Sequence, residues 1–280
     1  MSRKLKGNLF VGAMLLCLGV SFGTLAWLLT STFLDGIPTL SRQLFTDPPS
    51  TLPEEAGARP AILATIYLAG LLLLMAVPIG VLTAIYLEEY ARKERWYNRL
   101  LELNLQNLAA VPAIVYGILG LAFVVRGPVG IGRVLLAGAI ILTLVVLPTV
   151  IIASREAIRA VPDSIRQGGF ALGATKWQVV SRQVLPASIP GIATGSILSL
   201  SRAVGETAPL LLIGALQYVA FDPTVLGAFT AMPVQIYTWV KLPDPEFQNL
   251  AAAAIIVLLA IVLTMNAIAI FLRNRYRQTW

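Results

Sequence analysis

The feature that most constrains this chain is a succession of long apolar runs. A bilayer has a hydrocarbon core about 30 Å thick, so a helical span needs roughly 20 consecutive apolar residues. Six runs are long enough, at residues 9–33, 61–87, 107–125, 131–153, 187–215 and 250–272. Only 12% of all residues are charged, about half of what a soluble domain carries. The sequence therefore predicts an all-α polytopic membrane protein with six transmembrane helices.

The basic residues predict which side of the membrane each connection faces. With a cytoplasmic N-terminus, fifteen of the 21 Lys and Arg residues fall in inside segments and five in outside segments, while Arg202 lies within a span. Cytoplasmic connections carry an excess of Lys and Arg. We therefore expect both termini in the cytoplasm, and we interpret the net charge of +7 as topology rather than as affinity for nucleic acid.

A seventh, weaker apolar stretch covers residues 224–240, with Pro233 and Gln235 in its middle. A crossing there would place the C-terminal arginines outside, against the charge bias. We expect a re-entrant or interfacial helix on the outer face, with Tyr237 and Trp239 at the level of the lipid headgroups.

The residue inventory excludes several classes of function. Cys17 is the only cysteine and the chain has no histidine, which removes disulfides within the chain, most zinc sites and histidine-based catalysis. No span contains the pair of aspartates that an intramembrane protease would need. No Gly-Lys pair occurs, so a Walker A phosphate cradle cannot form. We expect a non-catalytic chain that binds no cofactor of its own.

The inside connection at residues 154–186 carries strong helix-capping signals. Asp163 or Ser164, after Pro162, predicts the N-cap of a helix from Ile165 to Leu172. Gly173 then predicts a left-handed helix stop.

A second helix is predicted directly after this glycine. Thr175 and Gln178 fit a capping box, the helix carries Trp177, and Leu185-Pro186 are expected to end it. Such a helix–glycine–helix elbow gains little by folding in water unless something packs on it. We interpret it as a docking surface for a cytoplasmic partner; the alternative is a lid that packs on its own bundle.

The spacing of this elbow resembles the EAA loop of ABC-importer permeases. That family has a Glu-Ala-Ala triplet, a Gly and an Ile-x-Leu-Pro ending at the same intervals. The resemblance implies that the first elbow helix fits a groove on an ATPase subunit. The residues that it assigns to this coupling are Gln167, Gly168, Gly169, Gly173, Thr175, Trp177, Leu185 and Pro186.

The elbow departs from the family pattern at two places. The triplet is Gln167-Gly168-Gly169, and Gln183 stands where the family has Ile. The usual acidic contact is therefore missing, and each glycine weakens a helix by about 1 kcal/mol.

Four segments taken together resemble the phosphate-uptake permeases of ABC importers. They are Val-Pro-Ala-Ile-Val-Tyr-Gly at 111–117, Arg-Ala-Val-Pro-Asp-Ser at 159–164, Gly-Ala-Thr-Lys-Trp-Gln at 173–178 and Arg-Ala-Val-Gly-Glu-Thr-Ala-Pro-Leu at 202–210. The last segment resembles the PstA-type subunit more than its PstC-type partner. The resemblance covers most of the chain from about residue 61 onward and implies the type I importer (MetI-like) permease fold. We expect a permease core at 61–280 with the ATPase-docking loop at 154–186, preceded by an N-terminal helix and outer loop at 1–60.

The resemblance also implies a set of partners in a bacterial plasma membrane. They are a PstC-type permease in a heterodimer with this chain, two PstB-type ATPase subunits that hold ATP and Mg²⁺, and an outer PstS-type phosphate-binding protein. No nucleic acid is expected.

Two charged residues fall within the fifth predicted span, where each costs roughly 2.5–3.5 kcal/mol on insertion scales. Arg202 and Glu206 are spaced to share one helix face near the middle of that span. They are expected either to line the translocation path, where a guanidinium suits phosphate oxygens, or to form a fixed salt bridge that sets helix register. Glu88 and Glu89, near Arg92 and Lys93 at the inner end of the second span, are expected to form a solvated surface network.

Two other functions remain open at this point. A channel or secondary carrier would use Arg202 and Glu206 equally well, but it would have no ATPase for the elbow to dock. A permease for phosphonate, sulfate or molybdate is the other alternative, because an arginine suits any of these anions.

Overall fold

The computed structural model describes residues 3–92 and 95–275. Every regular element within those ranges is helical. The α-helices are α1 (Arg3–Gly36), α2 (Arg42–Thr46), α3 (Arg59–Ile85), α4 (Trp96–Ala110), α5 (Ala113–Gly120), α6 (Leu135–Arg159), α7 (Asp163–Ala171), α8 (Lys176–Val179), α9 (Leu185–Val204), α10 (Ala208–Ile213), α11 (Met232–Val240) and α12 (Pro245–Arg275). Single π-helical turns follow α3, α5 and α8 at Tyr86–Tyr90, Leu121–Val125 and Val180–Val184, and 3-10 turns lie at Ile37–Thr39 and Pro53–Glu55.

Five continuous helical segments of the described chain are long and apolar enough to cross a membrane. They are Gly7–Thr39, Arg59–Tyr90, Leu135–Arg159, Lys176–Val204 and Pro245–Phe271. A sixth crossing is available if the bent pair Trp96–Ala110 and Ala113–Val125 counts as one span. The predicted all-α polytopic fold is confirmed, but the third and the fifth predicted spans have a different shape.

The third predicted span is not one straight helix over 107–125. The axes of Trp96–Ala110 and Ala113–Val125 differ by 100°. Val111 is extended, with φ −69° and ψ 128°, because the ring of Pro112 disfavours the helical conformation in the residue before it. The hydroxyl of Tyr116 donates to the carbonyl of Leu108 at 2.9 Å, which holds the two helices at this angle.

The fifth predicted span, 187–215, is also interrupted. Helix α9 ends at Val204, residues 205–207 are non-helical, and α10 adds less than two turns before Gly214 takes a left-handed conformation at φ +90°. Arg202 therefore lies in the last turn of a helix and Glu206 beyond its end. The expected position of both residues in the middle of a continuous helix is wrong.

Helix α6 is the centre of the bundle. In its most apolar stretch 61% of the residues are buried, and it packs against α3 and α9. Small residues permit these contacts. A Cβ at Gly80 of α3 would lie 2.6 Å from a methyl of Val150, and a Cβ at Gly191 of α9 would lie 2.7 Å from the Cβ of Ala157. The small residues of α9 therefore serve a helix contact within this chain.

The stretch 224–240 does not form a seventh span. Only Met232–Val240 is helical, and nine residues are too short to cross. Tyr237 is 37% exposed, whereas Trp239 is 1% exposed in a cluster with Phe247 and Leu250 of α12. The indole of Trp239 therefore packs inside the protein and not against lipid headgroups.

Candidate coupling and translocation sites

The first helix of the elbow is α7. It begins at Asp163, with Pro162 in the N-cap position and no side-chain cap. The predicted cap by Asp163 or Ser164 is therefore wrong. Pro162 has φ −58° and ψ 139°, and the φ that its ring fixes is compatible with this position before the helix. Asp163 instead occupies the first turn, where a carboxylate interacts favourably with the helix dipole.

Gly173 ends α7 as the sequence predicts. Its φ is +78°, a conformation that costs side-chain-bearing residues energy. The N–H of Gly173 donates to Phe170 at 2.9 Å, and the N–H of Ala174 donates to Gly169 at 3.1 Å. These two bonds form a Schellman motif, which fixes the angle between the two elbow helices.

The predicted capping box of the second helix is present. Thr175 N–H donates to Gln178 Oε1 at 2.8 Å, and Gln178 N–H donates to Thr175 Oγ1 at 3.4 Å. Leu185-Pro186 does not end this helix, contrary to the prediction, since Lys176–Val204 is helical throughout. The N–H of Leu185 donates to Val180, five residues back, and this wide π turn accommodates Pro186 within the helix.

The two departures from the family pattern contact each other. A Cβ at Gly169 would lie 2.8 Å from Gln183 Oε1 and 2.8 Å from Cγ2 of Val179. Gly169 is buried at this crossing, whereas Gly168 has nothing within 4 Å of an added Cβ. A longer side chain at 183 therefore occupies the space that a methyl group at 169 would take.

The turn between the two elbow helices presents an exposed, partly apolar surface. Gln167, Gly168, Gly173 and Thr175 are exposed, and Trp177 is 64% exposed. Gly169 is buried, and Leu185 and Pro186 are half-buried at the start of α9, so these three do not belong to this exposed surface.

Sequence reasoning missed two residues of this surface. Phe170 is 48% exposed and Leu172 is 87% exposed. The signal that would have found them is the presence of large apolar side chains next to a helix-stopping glycine, in a helix too short to bury two faces. Together with Trp177 they form what we call the elbow tip.

Arg202 and Glu206 remain close although the helix between them has ended. Nε of Arg202 lies 3.6 Å from Oε1 of Glu206, and their side chains are 79% and 24% exposed. The guanidinium is thus open to the outside of this chain. Nearby, Pro209 of α10 packs on α5, because a Cβ at Gly117 would lie 2.8 Å from its Cα. The two interrupted spans therefore meet beside the charged pair.

Glu88 and Glu89 do not form a solvated network, contrary to the prediction. Each side chain is only 8% exposed, and their partners are arginines of α6 and α7. Lys93, which belonged to that prediction, lies outside the described residues. The signal in the sequence is the four-residue spacing of Arg155 and Arg159, which puts both on one face of α6.

Comparison with known proteins places the chain in a family. Residues 76–278 match the family described as the binding-protein-dependent transport system inner membrane component. The phosphate transport system permease protein PstA of Yersinia pestis is 35% identical over 260 residues, which are 90% of this chain and 85% of that protein. PstA 1 of Mycobacterium tuberculosis is 35% identical over 227 residues, 79% of this chain and 73% of that protein.

Solved structures agree on the fold. A crystal structure of a bacterial alginate ABC transporter, in complex with a periplasmic protein bound to alginate pentasaccharide, contains a chain with a TM-score of 0.66 at 19% identity, with 99% of this chain and 98% of that chain covered. A chain of the inward-facing MetNI methionine ABC transporter gives a TM-score of 0.59 at 18% identity, covering 78% and 94%.

The fold is thus that of the permease subunits of type I ABC importers. The chain belongs to the binding-protein-dependent transport system inner membrane component family, and it is a multi-pass protein of the inner membrane.

Proposed function

We propose that this chain is the PstA-type permease subunit of an ATP-driven importer of inorganic phosphate. It forms half of the translocation path and couples that path to a cytoplasmic ATPase. The observation that carries the proposal is the elbow tip, three large apolar side chains held in water by a Schellman motif and a capping box. A carrier driven by an ion gradient has no use for such a surface.

The choice of phosphate follows from the relatives and from the chemistry of the path. Relatives 35% identical over most of their length are named as phosphate permeases. Arg202 supplies a permanently charged guanidinium that can bond two phosphate oxygens at once. When the path is empty, the carboxylate of Glu206 lies 3.6 Å from this guanidinium. It is displaced when the anion arrives.

The remaining parts of the machine come from partners. A PstC-type permease forms a heterodimer with this chain and supplies the other wall of the path. Two PstB-type ATPase subunits bind ATP and Mg²⁺ and dock on the elbows, and a PstS-type protein delivers phosphate from outside. This chain is non-catalytic, binds no cofactor and has both termini in the cytoplasm.

Reconstitution of the complete importer tests the proposal. Proteoliposomes with and without this chain are loaded with ATP, and the uptake of radiolabelled phosphate is measured against an excess of sulfate. We expect uptake to require both this chain and ATP and to persist in sulfate. Equal inhibition by sulfate would favour a permease for another oxyanion, and uptake without the ATPase would favour a carrier.

A further inference from the structure

Two adjacent carboxylates lie in the last turn of the membrane helix Arg59–Tyr90, at its inner end. Glu88 and Glu89 lie in the π turn Tyr86–Tyr90, and each side chain is only 8% exposed. Acidic side chains are almost never buried to this degree unless they are paired. Their partners come from different elements of the fold, and the proposed function has not used them.

Glu89 binds the elbow. Its Oε1 accepts from Nη2 of Arg166 at 2.8 Å and from Nε at 3.0 Å. The same guanidinium donates to the carbonyls of Val161 at 2.7 Å and Ile158 at 3.0 Å. Arg166 therefore joins three parts of the chain, namely α7 on which it sits, the end of α6 and the π turn after α3.

Glu88 binds α6 and, through it, α4. Its two oxygens accept from Nε and Nη2 of Arg159, both at 3.0 Å. Its Oε2 also lies 3.4 Å from Arg155, whose Nη2 donates to Glu102 of α4 at 2.6 Å. The side chain of Arg155 is 12% exposed, so this link lies largely out of water, where solvent screens charges less.

The two carboxylates thus connect the elbow with the broken span. From Glu102, helix α4 leads to the bend at Pro112 and on to α5, which contacts Pro209 near Arg202 and Glu206. The links between different elements in this series are hydrogen bonds, ion pairs or packed contacts, and the chain itself joins Glu88 to Glu89 and α4 to α5. Such a series transmits a displacement only if its links hold while the elbow moves.

We propose that Glu88 and Glu89 form a coupling joint that transmits movement of the ATPase-bound elbow to the broken span α4–α5. Glu89 is a positioning residue, because it acts through Arg166 and touches neither nucleotide nor anion. The inference rests on the proposed coupling of the elbow to an ATPase. Without the carboxylate of Glu89, the elbow loses its ion pair to the π turn after α3, and ATP is hydrolysed without opening the path.

The complete importer in proteoliposomes tests the joint through Glu89→Gln and Glu102→Gln. Glu156→Gln is the matched control, since Glu156 pairs with Arg159 at 3.2 Å but is 64% exposed. The measured quantity is phosphate transported per ATP hydrolysed, together with the amount of ATPase in the purified complex. We expect both test variants to lose at least about tenfold in this ratio, while the control keeps the wild-type ratio and all three variants retain the ATPase.

Wild-type ratios in the test variants would overturn the joint, as would an equal loss in the control. If Glu89→Gln lowers the amount of assembled ATPase, Glu102→Gln decides alone, because the ion-pair partner of Glu102 is Arg155 of α6 and not a residue of the elbow. A normal ratio in Glu102→Gln then overturns the joint, and a reduced ratio supports it.

A readout that needs no substrate separates the joint from the choice of anion. In a Cys17→Ser background, Ile114→Cys places a thiol just after the bend, at a position 48% exposed. We expect ATP to change its labelling by a maleimide in the parent and not in the Glu89→Gln variant. An ATP-dependent change that persists in Glu89→Gln would overturn the joint, whereas failure of the wild type to transport phosphate would overturn the proposed substrate alone.

Discussion

Gly168 and Gly169 are neighbours in α7 with opposite structural roles. Gly169 is buried where α7 crosses the second elbow helix, and Gly168 faces open space. Glycine in the middle of a helix costs about 1 kcal/mol relative to alanine. At 169 this cost is offset by a close crossing that Gln183 and Val179 fill, whereas at 168 no neighbour among the described residues lies within 4 Å of an added Cβ.

Alanine substitutions at these two positions should therefore have opposite effects on stability. Gly168→Ala should stabilise α7 by up to about 1 kcal/mol. Gly169→Ala should destabilise the elbow by about 1–3 kcal/mol, because its methyl overlaps neighbours in a packed crossing. Thermal unfolding of the purified permease pair measures both, and Gln183→Ala should recover part of the loss at 169. Equal shifts for the two alanines would contradict the assigned crossing.

The exposed guanidinium of Arg202 predicts a transport defect rather than a folding defect. A hydrogen bond to a charged group contributes about 1.5–3 kcal/mol, so Arg202→Ala should slow phosphate uptake by at least about tenfold at an unchanged thermal midpoint. Arg202→Lys should recover only part of the rate, because an ammonium lacks the fork of donors. Arg42→Gln, an exposed change in α2, is the control.

A fixed salt bridge would behave differently. Arg202→Ala and Glu206→Ala would then each lower the thermal midpoint, and the double variant would be no worse than either single change. Uptake at the wild-type rate in Arg202→Ala would remove the pathway role. As a further expectation, Glu206→Gln should lower the preference for phosphate over sulfate, since its carboxylate can accept a hydrogen bond from the hydroxyl that phosphate retains near neutral pH.

At the scale of single residues, the sequence predicts what depends on near neighbours. The roles of Gly173, Thr175 and Gln178 involve only residues close to them in sequence. The structure contains the helix stop at Gly173 and the capping box of Thr175 and Gln178 as predicted. The partners of Glu89 and Glu88 are 77 and 67 to 71 positions away. The four-residue spacing of Arg155 and Arg159 places both on one helix face, but it identifies neither their partners nor their burial, so a buried network looks in sequence like a solvated one.

At the scale of helices, the apolar runs predict the spans well and their interruptions poorly. A proline within a span can kink a helix or break it, and the outcome depends on what takes up the freed backbone groups. At Pro112, the chain turns by 100°, and the hydroxyl of Tyr116 donates a hydrogen bond to the carbonyl of Leu108 in the last turn of α4. At Pro186, by contrast, a π turn keeps the helix continuous.

The hydroxyl of Tyr116 predicts how firmly the bend is held. Tyr116→Phe removes its bond to Leu108 and leaves the ring in place, which should cost about 1 kcal/mol. We expect a lower thermal midpoint and faster hydrogen exchange at residues 108–113. Tyr97→Phe is the control, because its hydroxyl accepts a bond from Arg95 at 3.0 Å on an exposed surface. Equal effects of the two changes would show that the bend does not depend on this bond.

At the scale of the whole molecule, the chain is only partly packed on itself. In the most apolar stretches of α1 and α12, 0% and 11% of the residues are buried inside the protein, compared with 61% in α6. In water this much exposed apolar surface would aggregate, but in a bilayer the outer helices need no cover from the protein. The sequence gives hydropathy along the chain and not which faces meet lipid, which is why the central position of α6 had to come from the structure.

The proposed position of the elbow in the cytoplasm predicts an accessibility pattern that a single-cysteine background can test. Cys17 is the only cysteine, so Cys17→Ser yields a chain without thiols. Ser41→Cys and Ser164→Cys then form a matched pair, since both serines are exposed and differ in the side of the membrane expected from the charge bias. A membrane-impermeant maleimide should label Ser41→Cys in intact spheroplasts and Ser164→Cys only in inside-out vesicles. The reverse pattern would place the elbow outside, where no ATP is available, and would contradict both the topology and its docking to an ATPase.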